Sequence, residues 1–372
     1  MLSYKRGTPI CKIIGGKQDG EIIRIFDPSR KCCAKCTDKC KTAKKQCCKE
    51  CAILKGGCMS CSVDDYKSDI EPFDKLNLLP PNYFQKKGGR INLVQLEKLK
   101  RAITKQQEPL DDEVGILYKE ASKDLNNLSK YMIKLHDGLL QPLPSEDDNV
   151  ADHVFITAPT GAGKSTFMGA YSNEIKKLFP DKDVYIFSSF DEDKPLDKLD
   201  PTRIDLEDPE FLEEPINKKE LSNSICIFDD IDTLPKEVSK VAQALRNDLL
   251  QCGRKEGIRV LASSHQIMNY RQTRDLLNSC QKIVIFPGDT IHHHKMRFLR
   301  EYCGLDKKCA QFLLKIPTRW LLINKTSPMH CIHEHGVVLL NKLDEVVKHI
   351  DEDKRVGTNV KRKKRVREQE DE

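Results

Sequence analysis

Ala158-Pro159-Thr160-Gly161-Ala162-Gly163-Lys164-Ser165-Thr166 stands between an apolar run, Val154-Phe155-Ile156-Thr157, and a helix-compatible stretch over 167–178. Strand, glycine-rich turn and helix together are the context of a phosphate-binding loop. The glycines let successive backbone N–H groups curl around a triphosphate, and the helix N-terminus adds a positive dipole end. In such a loop the whole of 158–166 cradles ATP. Lys164 reaches the β- and γ-phosphate oxygens, and Ser165 offers a hydroxyl to Mg²⁺. Ala158 replaces the usual first glycine, leaving Gly161 and Gly163 for the crowded part of the turn.

A nucleotide hydrolase also needs one carboxylate for Mg²⁺ and another to orient water. Ile225-Cys226-Ile227-Phe228 reads as a buried strand, with Asp229 and Asp230 at its C-terminal end. That edge is where open α/β sheets bind ligands. Asp229 is the expected Mg²⁺ partner, through water, and Asp230 the expected residue polarising the attacking water. A third apolar run over 258–263 leads into Ser264-His265-Gln266. His265 and Gln266 there are candidates to sense the γ-phosphate, against the plainer alternative of a turn. Two further strand-like runs, 184–187 and 282–286, complete an α/β pattern. It predicts a mostly parallel sheet covered on both faces.

Several stretches in 137–340 together resemble the genome-packaging ATPases of large DNA viruses, the poxvirus-type branch of the FtsK–HerA superfamily. They are Leu139-Leu140-Gln141-Pro142-Leu143-Pro144 before the loop, Phe187-Ser188-Ser189-Phe190-Asp191-Glu192-Asp193, and Phe228-Asp229-Asp230-Ile231-Asp232. Leu249-Leu250-Gln251-Cys252-Gly253-Arg254-Lys255 and Thr273-Arg274 follow in order. The chain departs from that family in carrying His265 where a Gln is common, and Lys255 where a His is common. The resemblance implies a RecA-like P-loop core, a homo-oligomeric ring and ATP-driven movement of double-stranded DNA into a capsid, with a capsid protein as partner. It also implies an arginine supplied by a neighbouring subunit, for which Arg254, Arg271 and Arg274 are candidates. Any of these three can equally be a surface ion-pair partner.

Among 372 residues, hydrophobic types make up 38%, enough for a core in the middle of the chain. The net charge of +6 permits nucleic-acid binding without demonstrating it. No apolar stretch reaches the roughly 18 residues of a membrane span. Met1-Leu2-Ser3-Tyr4-Lys5-Arg6-Gly7 carries no apolar signal core. The expected setting is therefore intracellular and reducing, and the resemblance implies the host cytoplasm or the virion. Cysteines there are thiols or metal ligands.

Ten of the sixteen cysteines precede residue 62. Three Cys-x-x-Cys pairs stand out, Cys33/Cys36, Cys48/Cys51 and Cys58/Cys61. Two such turns make a tetrahedral Zn²⁺ site, so one zinc is expected and a second is allowed for. Spacing leaves the pairing open, and Cys32, Cys40 and Cys47 can each substitute. A disulfide module is the alternative in an oxidising setting. Lysines interleaved with these cysteines suit phosphate contacts or a protein-docking knuckle equally well. Upstream, 10–14 and 21–26 read as a β-hairpin turning at Gln18-Asp19-Gly20.

Four segments follow: 1–70, hairpin and zinc module; 71–136, a helical connector; 137–350, the ATPase domain; and 351–372, a charged tail. Leu93, Leu96, Leu99 and then Leu125, Leu128, Met132 and Leu135 carry the helical spacing of the connector. Residues 194–220 read as an acidic surface excursion. The basic run Lys361-Arg362-Lys363-Lys364-Arg365-Val366-Arg367 suits a nuclear-localisation signal, a DNA-binding arm or a solvated tail. Asn341-Lys342-Leu343-Asp344 matches a guanine-reading motif but lacks its companion switch motif, so ATP is expected. Cys331, His333 and His335 alternate along a strand, and His292-His293-His294 cluster. Satisfied or exposed histidines are the commoner outcome for both. The rival functions are a phosphotransferase acting on a small acceptor, and an ATP-dependent switch or scaffold.

Overall fold

The computed structural model describes residues 1–5, 7–26, 78, 93–105, 112–150, 152–206, 208–213, 216–269, 273–288, 292–344 and 346–347. The proposed zinc ligands Cys33, Cys36, Cys48, Cys51, Cys58 and Cys61, together with Arg271 and the basic tail, lie outside the described residues. Contacts divide the chain into two units, each assembled from separate stretches. The first holds Met1–Thr8, Ile13–Leu139 and His335–Glu372; the second holds Pro9–Lys12 and Leu140–Glu334. These limits differ from the sequence boundaries, since the described residues 335–344 and 346–347 group with the first unit rather than with the ATPase segment.

In the first unit β1 (Leu2–Ser3) precedes β2 (Thr8–Ile14), of which Pro9–Lys12 belong to the second unit. β3 (Ile22–Ile25) pairs antiparallel with β1. The hairpin turn forms as the sequence predicts: Gly20 N–H donates to the Ile13 carbonyl at 2.9 Å. α1 (Leu93–Lys105) buries Leu99, Ala102 and Ile103, and α2 (Asp112–Leu128) buries Ala121, Leu125 and Leu128. Both sets follow the three- and four-residue spacing of an amphipathic helix. The helical reading of Met132 and Leu135 is corrected. α2 stops at Leu128, and Met132–Lys134 forms β4, where burial alternates and an edge-to-edge partner outweighs helical spacing.

The second unit contains β5 (Leu139–Pro142, its first residue counted with the first unit), β6 (Val154–Thr157), α3 (Lys164–Leu178), β7 (Asp183–Phe187), α4 (Lys194–Asp197) and β8 (Thr202–Ile204). Next come α5 (Pro209–Glu213), β9 (Ser224–Phe228), α6 (Lys236–Cys252), β10 (Arg259–Ser264), α7 (Arg274–Ser279) and β11 (Lys282–Ile285). It closes with α8 (His292–Glu301), α9 (Lys307–Leu314), β12 (Leu321–Asn324) and β13 (His330–His333). β14 (Gly336–Leu339) returns to the first unit and pairs antiparallel with β4, Val337 opposite Ile133.

Eight of the second unit's strands lie in the order β13-β12-β11-β6-β10-β9-β7-β8. The six from β11 to β8 run parallel, and β12 and β13 extend the sheet antiparallel. β6, β9 and β10 are buried at every position, as a parallel sheet covered on both faces requires. Phe187 and Phe228 stack at 4.4 Å between ring centroids, locking β7 to β9. The segment 194–220 is more than a surface excursion. It contributes α4, α5 and β8, and β8 adds a parallel edge strand with Thr202 opposite Tyr185.

Charges clamp the N-terminal edge of this sheet. Buried Arg259 and Lys182 reach the Asp148 carboxylate at 3.3 and 3.1 Å, and Lys282 meets buried Asp152 at 2.6 Å. Arg259 also lies over the Phe179 ring at 4.5 Å. Burial raises the Asp152 pKa, but the charge and hydrogen bond of Lys282 and the Ser145 N–H outweigh it and hold the carboxyl below its ordinary range.

Beside this clamp, His153 accepts the Val260 N–H at Nδ1, 3.0 Å away. Burial drives the pKa of His153 down to about 4, and burial does the same to His330. In the unfolded chain each imidazole takes up a proton near pH 6.5, but in the fold only near pH 4. Between those values the unfolded chain binds more protons, so stability falls as the pH falls through that window. We expect a loss of about 2 kcal/mol per histidine between pH 7 and pH 5, read from denaturant midpoints at the two values. Equal midpoints would show that neither ring is held neutral.

Candidate active site

β6 delivers the chain into the glycine-rich loop at the C-terminal edge of the parallel sheet, and α3 leaves it. Gly161 and Gly163 take left-handed φ values of +80° and +109°, which side-chain-bearing residues rarely adopt. Ala158, the departure from the usual glycine, is buried and needs no such angle. Its N–H donates to the Ser264 carbonyl at 3.3 Å, tying the loop to β10. Pro159 accepts the Ala162 N–H at 3.4 Å, closing the turn. Thr160 and Thr166 are exposed, and Ser165 is half-buried at the start of α3.

Lys164 is buried and folds back under the loop. Its Nζ donates to the Ala158 carbonyl at 3.1 Å and pairs with Asp230 Oδ2 at 3.0 Å. His265 completes the group. Its Nδ1 lies 3.3 Å from Lys164 Nζ, and its Nε2 lies 3.1 Å from Asp230 Oδ2. An ammonium only donates, so Nδ1 must accept and the ring proton must sit on Nε2, where it donates to the carboxylate. The contacts therefore fix one neutral tautomer that links the lysine to the acid.

β9 carries Asp229 and Asp230 to the same edge, and the β9–β10 register, with Ala262 opposite Phe228, brings Ser263 level with them. Ser263 Oγ lies 2.7 Å from Asp229 Oδ1 and 2.9 Å from Asp230 Oδ1, and it accepts the Asp230 N–H at 2.9 Å. One hydroxyl proton serves one carboxylate at a time, so Ser263 ties the two acids together. Burial raises the Asp229 pKa, and the Asp230 charge adds to that against the Ser263 hydrogen bond and Lys164. Asp230 sits at φ +50°, an angle that turns its carboxylate out of the strand line toward Lys164.

Of the residues singled out in sequence, the structure thus brings together Lys164, Asp229, Asp230 and His265. Gln266 is exposed, and its N–H is taken by Ser264 Oγ at 3.2 Å. It is His265 that reaches Lys164 and Asp230. Arg254 is exposed in the turn before β10, at the N-terminal edge of the sheet, away from its own chain's loop. Arg274 is exposed at the start of α7. Two residues escaped the sequence reading. Ser263 lay inside a recognised strand, where only register reveals its partners. Arg319 precedes β12 without any local motif, and its Nη2 lies 3.5 Å from the Ala162 carbonyl.

The donor set suits a hard cation, because the Ser165 hydroxyl and the Asp229 carboxylate are the oxygen ligands that Mg²⁺ takes alongside phosphates. No cluster of three or more His, Cys, Asp or Glu side chains able to hold a metal occurs among the described residues. Cys331 and His333 are buried within β13, and the Asn341-Lys342 pair falls in a 3₁₀ turn in the first unit. No helix among the described residues is long and apolar enough to cross a membrane.

No protein-family model matches the chain. A 190-residue stretch, 50% of the chain, is 33% identical to "Uncharacterized protein V3" of the Sputnik virophage and spans 76% of that protein. Among solved structures, B204, the DNA-packaging ATPase from Sulfolobus Turreted Icosahedral Virus, overlaps 50% of this chain and 98% of its own, at 17% identity and a TM-score of 0.37. The cytoplasmic domain of the Thermomonospora curvata Type VII secretion ATPase EccC overlaps 55% of this chain and 28% of its own, at 13% identity and a TM-score of 0.38.

Proposed function

The chain belongs to the protein family of the Sputnik virophage protein V3, and from the loop geometry and the sequence resemblance to packaging ATPases we propose a Mg²⁺-dependent ATPase that drives double-stranded DNA into a capsid. The observation that carries the hydrolytic part is the Lys164–Asp230–His265 group directly beneath a glycine-rich loop. The DNA-packaging part rests on the sequence resemblance to packaging ATPases.

Lys164 exchanges its contact with Asp230 for the β- and γ-phosphate oxygens when ATP enters the loop. Backbone N–H groups of 161–166 hold the same phosphates. Asp230, freed of the ammonium but still held by His265 and Ser263, then accepts a hydrogen bond from water aligned on the γ-phosphorus. Asp229, through water, and Ser165 would hold Mg²⁺, which would supply charge neutralisation on the transferring phosphoryl group. Positioning and fixed charge supply the catalysis. A RecA-like core, a ring with an arginine in trans, a capsid-protein partner, zinc in the cysteine module and action in the host cytoplasm or virion complete the proposal.

Phosphate release by the purified chain with and without linear double-stranded DNA tests this reading. The expected result is turnover that DNA stimulates. Turnover indifferent to DNA but dependent on a small acceptor would replace the motor with a phosphotransferase. Tight ATP binding without turnover would replace it with a switch.

A further inference from the structure

Building on the ATP reading, we infer that Arg319 is a second phosphate-binding cation of the same chain, holding the α/β-phosphate end of the nucleotide rather than the γ end. Its backbone is fixed from two sides. The Arg319 N–H donates to Glu334 Oε2 at 2.8 Å, and Thr318 Oγ1 lies 3.2 Å from the same carboxylate oxygen. The next residue, Trp320, packs edge-on against Phe167 in the first turn of α3, with ring centroids 5.2 Å apart. The segment before β12 is thereby pinned to the helix that follows the loop.

The side chain is exposed and lies against the loop. A Cβ placed on Gly163 would come within 3.1 Å of Arg319 Nη2, so the missing side chain is what lets the guanidinium approach. The side-chain contact of that guanidinium is the Ala162 carbonyl at a long 3.5 Å, and it makes no ion pair among the described residues. A planar group with five donors and no acidic partner among the described residues, resting on a phosphate-binding turn, matches phosphate oxygens in charge and geometry.

Sheet order decides which phosphates. β6 lies between β10 and β11. β10 and β9 carry His265, Asp229 and Asp230 on one side of the loop, and Lys164 points to that side. Arg319 comes from β12, beyond β11, on the other side. The water-orienting acid marks the γ end, so Arg319 serves the opposite end of the triphosphate. It contributes binding shared by ATP and ADP, and it is distinct from an arginine that a neighbouring subunit would aim at the γ-phosphate.

The test measures equilibrium binding of ADP and ATP, steady-state turnover and melting temperature for the full chain, Arg319→Ala and Arg319→Lys. In Arg319→Ala, affinity for ADP and ATP falls by a common factor of roughly 10- to 100-fold. KM rises, kcat at saturating ATP is little changed, and the melting temperature holds because the side chain is exposed. Arg319→Lys recovers part of the affinity, since the charge remains without the planar fork. Unchanged ADP affinity in Arg319→Ala overturns the inference while leaving the ATP reading in place. So does a loss of kcat with ADP affinity intact, which would move Arg319 to the γ end. Weakened binding accompanied by a lower melting temperature, without recovery in Arg319→Lys, assigns it a structural role instead. A wild-type chain that binds neither nucleotide removes the ATP reading and this inference with it.

Discussion

Lys164→Ala should cut ATP turnover by about 10³-fold or more, because it removes the buried cation beside the γ-phosphate while leaving the loop amides in place. The loss is expected in kcat rather than in folding. Asp230 keeps its bonds to Ser263 and His265 when the ammonium is gone, and the Gly161 and Gly163 angles do not depend on the lysine. Phosphate release at saturating ATP, with circular dichroism on the same samples, separates the two. Turnover near the wild-type level would remove Lys164 from the chemistry and with it the identification of this loop as the catalytic one.

Asp230→Asn is the sharper probe of the reaction step. The residue sits at φ +50°, ψ +33°, a left-handed conformation that asparagine adopts more readily than alanine does. The substitution therefore removes the carboxylate charge with little backbone penalty, whereas Asp230→Ala would mix lost charge with strain. ATP should still bind, since Lys164 and the loop amides remain, while kcat drops by on the order of 10²- to 10³-fold. Binding measured separately from single-turnover hydrolysis would detect the split. Equal turnover in Asp230→Asn and wild type would pass the water-orienting role to another group, with Asp229 the nearest carboxylate.

The phosphate loop was legible because its requirements are local. Two glycines fall where the backbone turns left-handed, and the apolar run before it and the helix-compatible stretch after it match β6 and α3. The apolar runs at 225–228 and 258–263 likewise became β9 and β10, since strands buried on both faces keep consecutive apolar residues, Ile225–Phe228 in one and Val260–Ala262 in the other. Long-range features left no such mark. Ser263 meets both acids only because β10 pairs with β9 in one register. Arg319 lies 157 residues from the carbonyl it touches, behind an unremarkable Thr-Arg-Trp. Short edge strands failed for a related reason: β4 and β8 span three residues each, too few for alternation to outweigh a neighbouring helical or acidic pattern. His265 was found by position, but its neutral tautomer follows only from what surrounds it.

The pairing of β4 with β14 also fixes a sequence of events during synthesis. Val337 must find Ile133, and every residue between them leaves the ribosome first. Leu140–Glu334 therefore emerges as a nearly complete body before the last strand of the first unit exists. A stalled or truncated nascent chain that ends before residue 336 would carry the nucleotide loop but leave the β4 edge without its partner, a template for pairing with another chain.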